Sequence, residues 1–176
     1  MMPGFLPERR YVITTPLGRW RAVFTDAGLR ELSLPRRVVR DGRHPNKGGG
    51  QGKAPELGDQ EGALGRRVLK VLAARLDAKR PNLAWSDFDL SGRPPFFTRA
   101  WKALYEIPYG EVRTYGQIAK SAGSPHAVRA AGGACGANPI VLFIPCHRVV
   151  ASNGPGGFGA GLDWKRRLLA LEGRDL

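Results

Sequence analysis

Cysteine, histidine and long apolar segments are all scarce in this chain of 176 residues. Its two cysteines, Cys135 and Cys146, are too few for the disulfide framework of a small secreted protein or for a four-cysteine zinc site. Its three histidines, His44, His126 and His147, show no metal-ligand spacing with one another or with the cysteines. We therefore expect neither a metal site nor another cofactor.

Membrane-spanning segments are also absent from the sequence pattern. No stretch approaches the roughly 20 apolar residues that are needed to cross a bilayer. The first ten residues lack the uninterrupted apolar core of a secretory signal. We therefore expect no membrane association and a cytoplasmic location.

Acidic residues are scarce relative to basic ones. The chain has 28 Lys and Arg against 15 Asp and Glu, which gives a formal net charge of +13. This excess is spread along the chain, with +8 in residues 1–93 and +5 in residues 94–176. A basic surface attracts polyanions through counterion release. Charge alone favours a nucleic-acid partner only modestly, because many basic surfaces merely maintain solubility.

Residues 1–93 are predicted to form a small α/β domain. Residues 11–15 are β-branched and aromatic, and two further short segments up to residue 34 alternate apolar with polar side chains between glycine-containing turns. This pattern predicts a meander of three strands, with Trp20, Ala22 and Phe24 on one face.

The remainder of this half contains a loop, a helix and a strand. Residues 35–62 contain seven glycines, three prolines and few large apolar residues, and so predict a mobile loop with solvated basic side chains. Apolar residues at helical spacing predict a helix over residues 64–79, stopped by Pro81. Residues 84–90 alternate in the manner of a strand.

Residues 91–95 are the predicted domain boundary, because they combine glycine and proline. Beyond it, residues 94–176 predict short helices, for which Thr98, Thr114 and Ser124 are candidate N-caps. The last two helices are joined by a short glycine-containing turn. This arrangement indicates a helix-turn-helix, although plain helical hairpins have the same pattern.

The third of these helices has unusually small side chains. After Arg129 it continues as AAGGACGA over residues 130–137. A glycine inside a helix costs up to about 1 kcal/mol relative to alanine. We infer that another surface approaches this helix closely, and both a neighbouring helix and the wall of a DNA groove fit that role.

A candidate nucleophile follows a short apolar run. Residues 140–144 are predicted as a buried strand, which leads to Cys146 and His147. A cysteine beside a histidine can supply an activated thiolate, the nucleophilic form of the side chain. Taken alone the pair is weak evidence, since buried cysteines are common as small apolar residues.

The sequence around this pair resembles the O6-alkylguanine-DNA alkyltransferases. The segment IPCHRV at residues 144–149 is similar to their active-site signature. Further similarity runs in family order from about residue 94 to residue 173, in the segments IPYGEV (107–112), TYGQIA (114–119), RAAGGA (129–134) and GGFGAGL (156–162). Residues 1–93 match the family only loosely.

The resemblance implies a fold class and a function. The fold is α/β, with a ribonuclease-H-like meander plus helix followed by a mainly helical domain that carries a winged-helix-like helix-turn-helix. The function is a stoichiometric methyltransferase that flips O6-methylguanine, and less readily O4-methylthymine, out of double-stranded DNA. The alkyl group passes irreversibly to Cys146, once per molecule. The implied protein is a monomer that binds the minor groove with little sequence dependence.

The resemblance also assigns catalytic roles. Glu172 would orient His147, which would polarise a water that takes the thiol proton of Cys146. Asn138 would organise the turn that holds the thiol. Tyr115 would donate a hydrogen bond to the departing base and crowd the target phosphate. Without the family context, Glu172 would be a solvated helix end and Asn138 an ordinary turn residue.

DNA and substrate contacts are implied in the same way. Arg129 would enter the base stack, and Tyr115 with the small residues Ala130, Gly132 and Gly133 would face the minor groove. The alkyl pocket would be formed by Pro145, Val149, Phe158, Gly159 and Ala160. Cys135 has no role in this pattern, and we interpret it as a packing residue.

Two other functions compete with alkyl transfer. A helix-turn-helix protein that recognises damaged DNA or an operator without chemistry would have no use for the cysteine, histidine, asparagine and glutamate together. A cysteine hydrolase would need an oxyanion hole and a histidine from a distant segment. Only His44 or His126 could supply that histidine.

Overall fold

We describe the fold from a computed structural model, which describes residues 7–35, 56–57, 62–79 and 81–176. Within these ranges, none of the helices is both long enough and apolar enough to pass through a bilayer. The buried apolar residues of the N-terminal and C-terminal halves join in one continuous core. The division of the chain into two domains near residue 93 stays a prediction.

The first three strands form the predicted meander. Strands β1 (Arg9–Thr15), β2 (Gly18–Thr25) and β3 (Gly28–Ser33) pair antiparallel in that order. The turn into β3 requires Gly28, whose φ is 146° and whose missing side chain leaves room for the carbonyl of Asp87. The alternation of apolar and polar residues therefore predicted this sheet correctly.

Helix α1 (Gly62–Leu76) contributes its apolar stripe to the same core. The predicted end at residue 79 is wrong by three residues. Ala78 adopts a left-handed conformation with φ of 57°, which ends the helix before Pro81 can do so. The helix also begins two residues earlier than predicted.

The predicted strand over residues 84–90 is wrong. A short 3-10 helix occupies Trp85–Asp87. It forms because the Asp87 carboxylate accepts a hydrogen bond from the backbone N–H of Ala84, which closes a turn. Phe88 then forms an isolated bridge with Leu29, and this bridge connects the segment to the meander.

Most of the predicted mobile loop lies outside the described residues, in 36–55 and 58–61. The prediction is wrong for Glu56 and Leu57. Glu56 bridges to Val12 of β1, and the N–H of Leu57 donates to the Val12 carbonyl at 2.7 Å. Leu57 is a large apolar side chain, and burying it in the core stabilises this attachment.

The C-terminal half contains four helices and a small parallel sheet among its described residues. They are α2 (Pro95–Tyr105), β4 (Arg113–Thr114), α3 (Tyr115–Ser121), α4 (Val128–Gly136), β5 (Val149–Val150) and α5 (Leu162–Leu171). Strand β4 pairs with β5.

Thr114 caps α3 as predicted. Its hydroxyl accepts from the N–H of Gln117 at 3.2 Å, and the Gln117 side chain accepts from the N–H of Thr114 at 2.7 Å. This reciprocal arrangement is a capping box, which satisfies two otherwise unpaired donors at the start of the helix.

The other two predicted caps are wrong. Helix α2 begins at Pro95, because proline at the first helical position needs no partner for an N–H, and Thr98 lies inside the first turn. Helix α4 begins only at Val128. Ser124 lies in a preceding turn, in which its carbonyl accepts from the N–H of Ala127.

Helices α3 and α4 form the predicted helix-turn-helix, and α2 packs against both. The buried side of α4 explains its small residues. Ala131 and Ala134 are fully buried, and the indole N–H of Trp101 donates to the Ala134 carbonyl at 2.8 Å. Close helix packing therefore accounts for one face of α4, while Ala130 and Gly133 stay exposed on the other.

Residues 140–144 are buried as predicted, apart from the partly buried Val141, but they do not form a strand. The chain turns at Leu142, which has φ of 78°, and makes only isolated bridges. Leu32 of β3 bonds through its backbone to both Pro139 and Val141, so this turn is fixed to the meander. The left-handed turn directs the following residues into the site.

Candidate active site

Cys146 begins a short 3-10 helix, Cys146–Arg148, and its side chain is buried. The Asn138 amide donates to the Cys146 Sγ at 3.0 Å and to the Ile144 carbonyl at 2.7 Å. The Asn138 Oδ1 accepts from the N–H of Ile140 at 3.0 Å. One side chain therefore holds the buried turn and the thiol together.

The thiol is protonated at rest. Burial raises the pKa of Cys146 to about 11, against the opposing effects of the Asn138 hydrogen bond, the backbone N–H groups of Cys146 and His147, and the charge of Lys165. Thiolate is the reactive form, so a nucleophilic reaction at Cys146 requires a proton acceptor nearby.

A cavity of about 170 Å³ opens in front of Cys146. Its volume suits a small ligand, since pockets for drug-sized molecules begin at roughly 300 Å³. Residues from α3, α4, the 3-10 helix and the glycine-rich loop (residues 154–161) line it: Tyr115, Gly132, Cys135, Gly136, Cys146, Gly157, Phe158 and Gly159.

Tyr115 forms one wall of this cavity. Its hydroxyl donates to the Gly157 carbonyl at 3.4 Å and accepts from the Gly157 N–H at 3.3 Å. Gly156 has φ of 67°, and a side chain there would come within 3.0 Å of the tyrosine ring. Burial raises the pKa of Tyr115, so its phenol remains a neutral hydrogen-bond donor.

His147 and Glu172 form a buried pair. The His147 Nε2 lies 3.0 Å from the Glu172 Oε1, and neither side chain is more than 3% exposed. Arg148 donates to both carboxylate oxygens at 2.8 Å, and the N–H of Gly110 donates to Oε2 at 3.1 Å. Arg75 Nη2 lies 3.5 Å from Oε1.

These contacts fix the protonation states of the pair. Burial opposes ionisation of Glu172, but hydrogen bonds from His147 and Arg148 lower its pKa to about 2. Burial lowers the pKa of His147 to about 4, and the charges of Arg148 and Arg75 add to this shift against the effect of Glu172. At neutral pH the carboxylate can only accept, so His147 carries its proton on Nε2.

The other ring nitrogen of His147 is therefore the basic one. Its Nδ1 is buried and has no hydrogen-bond partner among the described residues. A buried unpaired acceptor is costly and uncommon, and such atoms occur at catalytic sites. This nitrogen is a candidate proton acceptor on the residue that follows Cys146.

Comparisons with known proteins show the family of this chain. The family model "6-O-methylguanine DNA methyltransferase, DNA binding domain" matches residues 95–174. The crystal structure of the Mycobacterium tuberculosis O6-methylguanine methyltransferase is 32% identical and superposes with a TM-score of 0.73. The superposition covers 94% of this chain and 93% of that one. The chain belongs to the O6-methylguanine-DNA methyltransferase family. The resemblance drawn from the sequence is confirmed, as is the predicted fold class.

Curated relatives of the methyltransferase family match more closely over a shorter region. A probable methylated-DNA–protein-cysteine methyltransferase of Acanthamoeba polyphaga mimivirus is 52% identical over 86 residues, which are 49% of this chain and 57% of that protein. The Methanosarcina acetivorans methyltransferase is 56% identical over 79 residues, which are 44% and 51% of the two chains. The match thus spans about half the length of each curated relative.

The cavity of this methyltransferase-family member differs in part from the predicted alkyl pocket. Phe158 and Gly159 line it, but Pro145, Val149 and Ala160 do not. Val149 is fully buried in β5, Pro145 is buried before the 3-10 helix, and Ala160 is exposed in the turn before α5.

Sequence reasoning missed several residues of the site. Cys135 and Gly136 line the cavity because they follow Gly132 by three and four residues on one face of α4. Helical spacing alone could have shown this. The same spacing places Arg129, which is exposed, at the end of this row. Arg129 therefore lies on the face of α4 that leads to the cavity.

Lys165 was also missed. It is fully buried, and its ammonium group donates to the carbonyls of Val149, Pro155 and Gly157. These bonds fasten the glycine-rich loop to β5. A lysine in the polar sequence of α5 gives no signal of burial, so only the structure reveals its position.

Proposed function

We propose that this protein repairs alkylated DNA by accepting the alkyl group on Cys146. The substrate would be O6-methylguanine, and less readily O4-methylthymine, and each molecule would act once. The observation that carries the proposal is a buried thiol at the wall of a small cavity, followed by a neutral histidine whose Nδ1 has no partner in the part of the chain that the structure describes. Family membership supports the same activity.

Proton removal is the first step of the proposed reaction. The thiol proton passes through a water to the His147 Nδ1. The imidazolium that results is stabilised by Glu172, whose carboxylate already accepts from Nε2 at 3.0 Å. The Asn138 amide and the backbone N–H groups at the start of the 3-10 helix stabilise the thiolate.

Displacement at carbon follows. The Cys146 Sγ attacks the alkyl carbon, a C–S bond forms, and the C–O bond to guanine O6 breaks. The bonding electron pair leaves with the base. Tyr115 supplies a hydrogen bond to the departing base as negative charge develops on it, since Tyr115 lines the cavity and its hydroxyl is neutral. The thioether is stable, which makes the transfer irreversible.

The proposed partner is double-stranded DNA, bound through the minor groove. The net charge of +13 favours phosphate contacts with little sequence dependence. Arg129, Ala130 and Gly133 are exposed on α4, where small side chains permit close approach of a groove. A crystal structure of the M. tuberculosis OGT is a complex with DNA. Extrusion of the base into the cavity would expose its alkyl group to Cys146. The monomeric state and the cytoplasmic location stay predictions.

Intact-protein mass spectrometry tests this function. The protein is incubated with a duplex that contains one O6-methylguanine, and peptide mapping then locates the added group. We expect one methyl group per molecule, on Cys146 and not on Cys135. Cys146→Ala should abolish the mass gain and retain duplex binding. An unchanged mass of the unsubstituted protein, with binding intact, would favour the non-catalytic damage-recognition protein.

A further inference from the structure

Arg75 is a buried charge that the proposed reaction does not use. It lies in the last turn of α1, outside the residues that the family model matches, and its side chain is 3% exposed. Its neighbours on the buried face of α1 are the apolar residues Val68, Val71 and Leu72. A charge at this position needs a specific reason, because an apolar side chain would serve packing as well.

The contacts of Arg75 converge on the active site. Its Nη2 lies 3.5 Å from the Glu172 Oε1 and 3.5 Å from the carbonyl of Leu142. Its guanidinium lies over the Tyr109 ring at 5.1 Å from the centroid. The residue therefore connects α1 to the turn that precedes Cys146 and to the carboxylate behind His147.

Three hydrogen-bond donors surround one oxygen of the Glu172 carboxylate. The Glu172 Oε1 faces Arg148 Nη2 at 2.8 Å, His147 Nε2 at 3.0 Å and Arg75 Nη2 at 3.5 Å. Against the effect of burial, hydrogen bonds from His147 and Arg148 keep Glu172 ionised, and the Arg75 guanidinium is attracted to the same carboxylate. A carboxylate in this position leaves His147 only the role of donor through Nε2.

We propose that Arg75 is a positioning residue for the Cys146–His147–Glu172 relay, and that it holds Glu172 as an acceptor and thereby fixes the Nε2–H tautomer of His147. The inference rests on the proposed function. It makes the N-terminal half of the chain part of the apparatus that activates the thiol, rather than only a support for the fold.

The electrostatics agree with this role. Burial lowers the pKa of Arg75 to about 10, so the side chain stays charged at neutral pH. The charged groups that face the His147–Glu172 pair are Arg75 from α1 and Arg148 from the 3-10 helix. Both guanidinium groups lie over the ring of Tyr109, in the segment after α2. Removal of the Arg75 charge should raise the pKa of His147, because a like charge disfavours the imidazolium.

The test measures two quantities for Arg75→Met and Arg75→Lys. The first is the single-turnover rate of benzyl transfer from free O6-benzylguanine between pH 4 and pH 9. The second is the titration midpoint of His147 by NMR. Lys70→Met is the matched control, since Lys70 is exposed on the same helix. The free base avoids any effect of these charges on DNA binding.

We expect Arg75→Met to slow transfer about tenfold at pH 7.5 and to move both the His147 midpoint and the acid limb of the rate profile to higher pH. Arg75→Lys should restore most of the rate, and Lys70→Met should change nothing. A folded Arg75→Met protein with an unchanged His147 midpoint would overturn the inference, even if transfer were slower. If Arg75→Met fails to fold, Arg75→Lys decides, because the inference requires this variant to keep most of the rate and the His147 midpoint of the unsubstituted protein. A large loss of rate or a shifted midpoint in Arg75→Lys would then overturn it.

Failure of the proposed function would look different. If the unsubstituted protein transfers no benzyl or methyl group, the alkyltransferase proposal fails. The NMR titration of His147 would still show whether Arg75 controls the tautomer and charge of this residue.

Discussion

The N-terminal sheet and helix bury mostly apolar side chains, whereas the C-terminal half buries a cluster of charges. Trp20, Phe24 and Leu29 are fully buried in the meander. In the C-terminal half, His147, Arg148 and Lys165 are almost completely buried, and the Glu172 side chain is only 3% exposed. Apolar packing tolerates many combinations of side chains of suitable volume, but a buried ion cluster requires particular partners at particular distances.

This difference agrees with how far along the chain the similarity to known proteins extends. The family model matches only residues 95–174, although the fold is shared along 94% of the chain with the M. tuberculosis methyltransferase. We infer that the need for apolar packing determines most of the side chains in residues 1–93. The need for particular interactions at the site determines the side chains near the thiol. Arg75 is the N-terminal residue that belongs to the second group.

Glu172→Gln should give the largest effect on stability and on transfer rate, because it changes the buried charge cluster of the C-terminal half. The substitution leaves Arg75 and Arg148 without a counter-charge in a buried site, which costs about 3–5 kcal/mol of unfolding free energy. It also removes the charge that stabilises the His147 imidazolium, so alkyl transfer should fall about 100-fold. Urea unfolding and single-turnover transfer measure the two effects.

Glu106→Gln is the matched control for this prediction. Glu106 pairs with Lys102 at the surface, where its side chain is 61% exposed. Such a pair contributes at most about 0.5 kcal/mol, and the transfer rate should not change. Equal losses of stability for Glu106→Gln and Glu172→Gln would contradict the requirement of the buried charge cluster for particular partners.

Leu29→Ala should damage stability without damaging chemistry. Leu29 is fully buried in the meander, and removal of a buried leucine side chain costs about 2–5 kcal/mol. The molecules that remain folded should transfer the alkyl group at the rate of the unsubstituted protein. Urea unfolding curves give the fraction of folded molecules, and active-site titration then gives the transfer rate per folded molecule. A lower rate per folded molecule would show that the apolar sheet also controls the site.

Acidification should weaken the charged half first. The pKa of His147 in the folded state is about 4, below the ordinary value of 6.5. Between these two pH values the unfolded chain therefore binds a proton at His147 and the folded chain does not. Stability should therefore fall as the pH drops from about 6.5 towards 4, by an amount on the order of 2–3 kcal/mol. Hydrogen bonds from Ser91, Thr25 and Arg30 overcome the effect of burial and lower the pKa of Asp89 to about 2. Protonation of Asp89 therefore lowers the stability further only below about pH 4.

Urea midpoints measured at a series of pH values check this order. His147→Gln should flatten the slope between pH 6.5 and pH 4, and Asp89→Asn should leave that part of the slope unchanged. His126→Gln is a further control, because His126 is exposed in the turn before α4. A slope that survives in His147→Gln would mean that another group causes the acid sensitivity.

Local sequence rules predicted some elements well and failed at others for identifiable reasons. The meander and the capping box at Thr114 depend on neighbouring residues, and both predictions are confirmed. The predicted strands at 84–90 and 140–144 are wrong, because a turn interrupts each segment. The Asp87 side chain closes the first turn, and the left-handed conformation of Leu142 makes the second. Sequence alternation does not reveal such turns.

The family resemblance identified Cys146, His147 and Asn138, which are close in sequence as well as in space. It also pointed to Glu172, but it could not show what surrounds that carboxylate. Arg75 and Lys165 carry no sequence signal of burial, since each stands in a helix with other basic residues. Their roles depend on where the helices pack.

The sequence by itself therefore indicated the meander, the cap of α3, the family and the candidate nucleophile. Only the tertiary structure decided the charge state of the site. Arg75 and Glu172 are 97 residues apart in the chain and 3.5 Å apart in the fold. Hydrogen bonding, burial and Coulomb interaction depend on distance in space, so the lowered pKa of His147 arises only once the two halves have packed together.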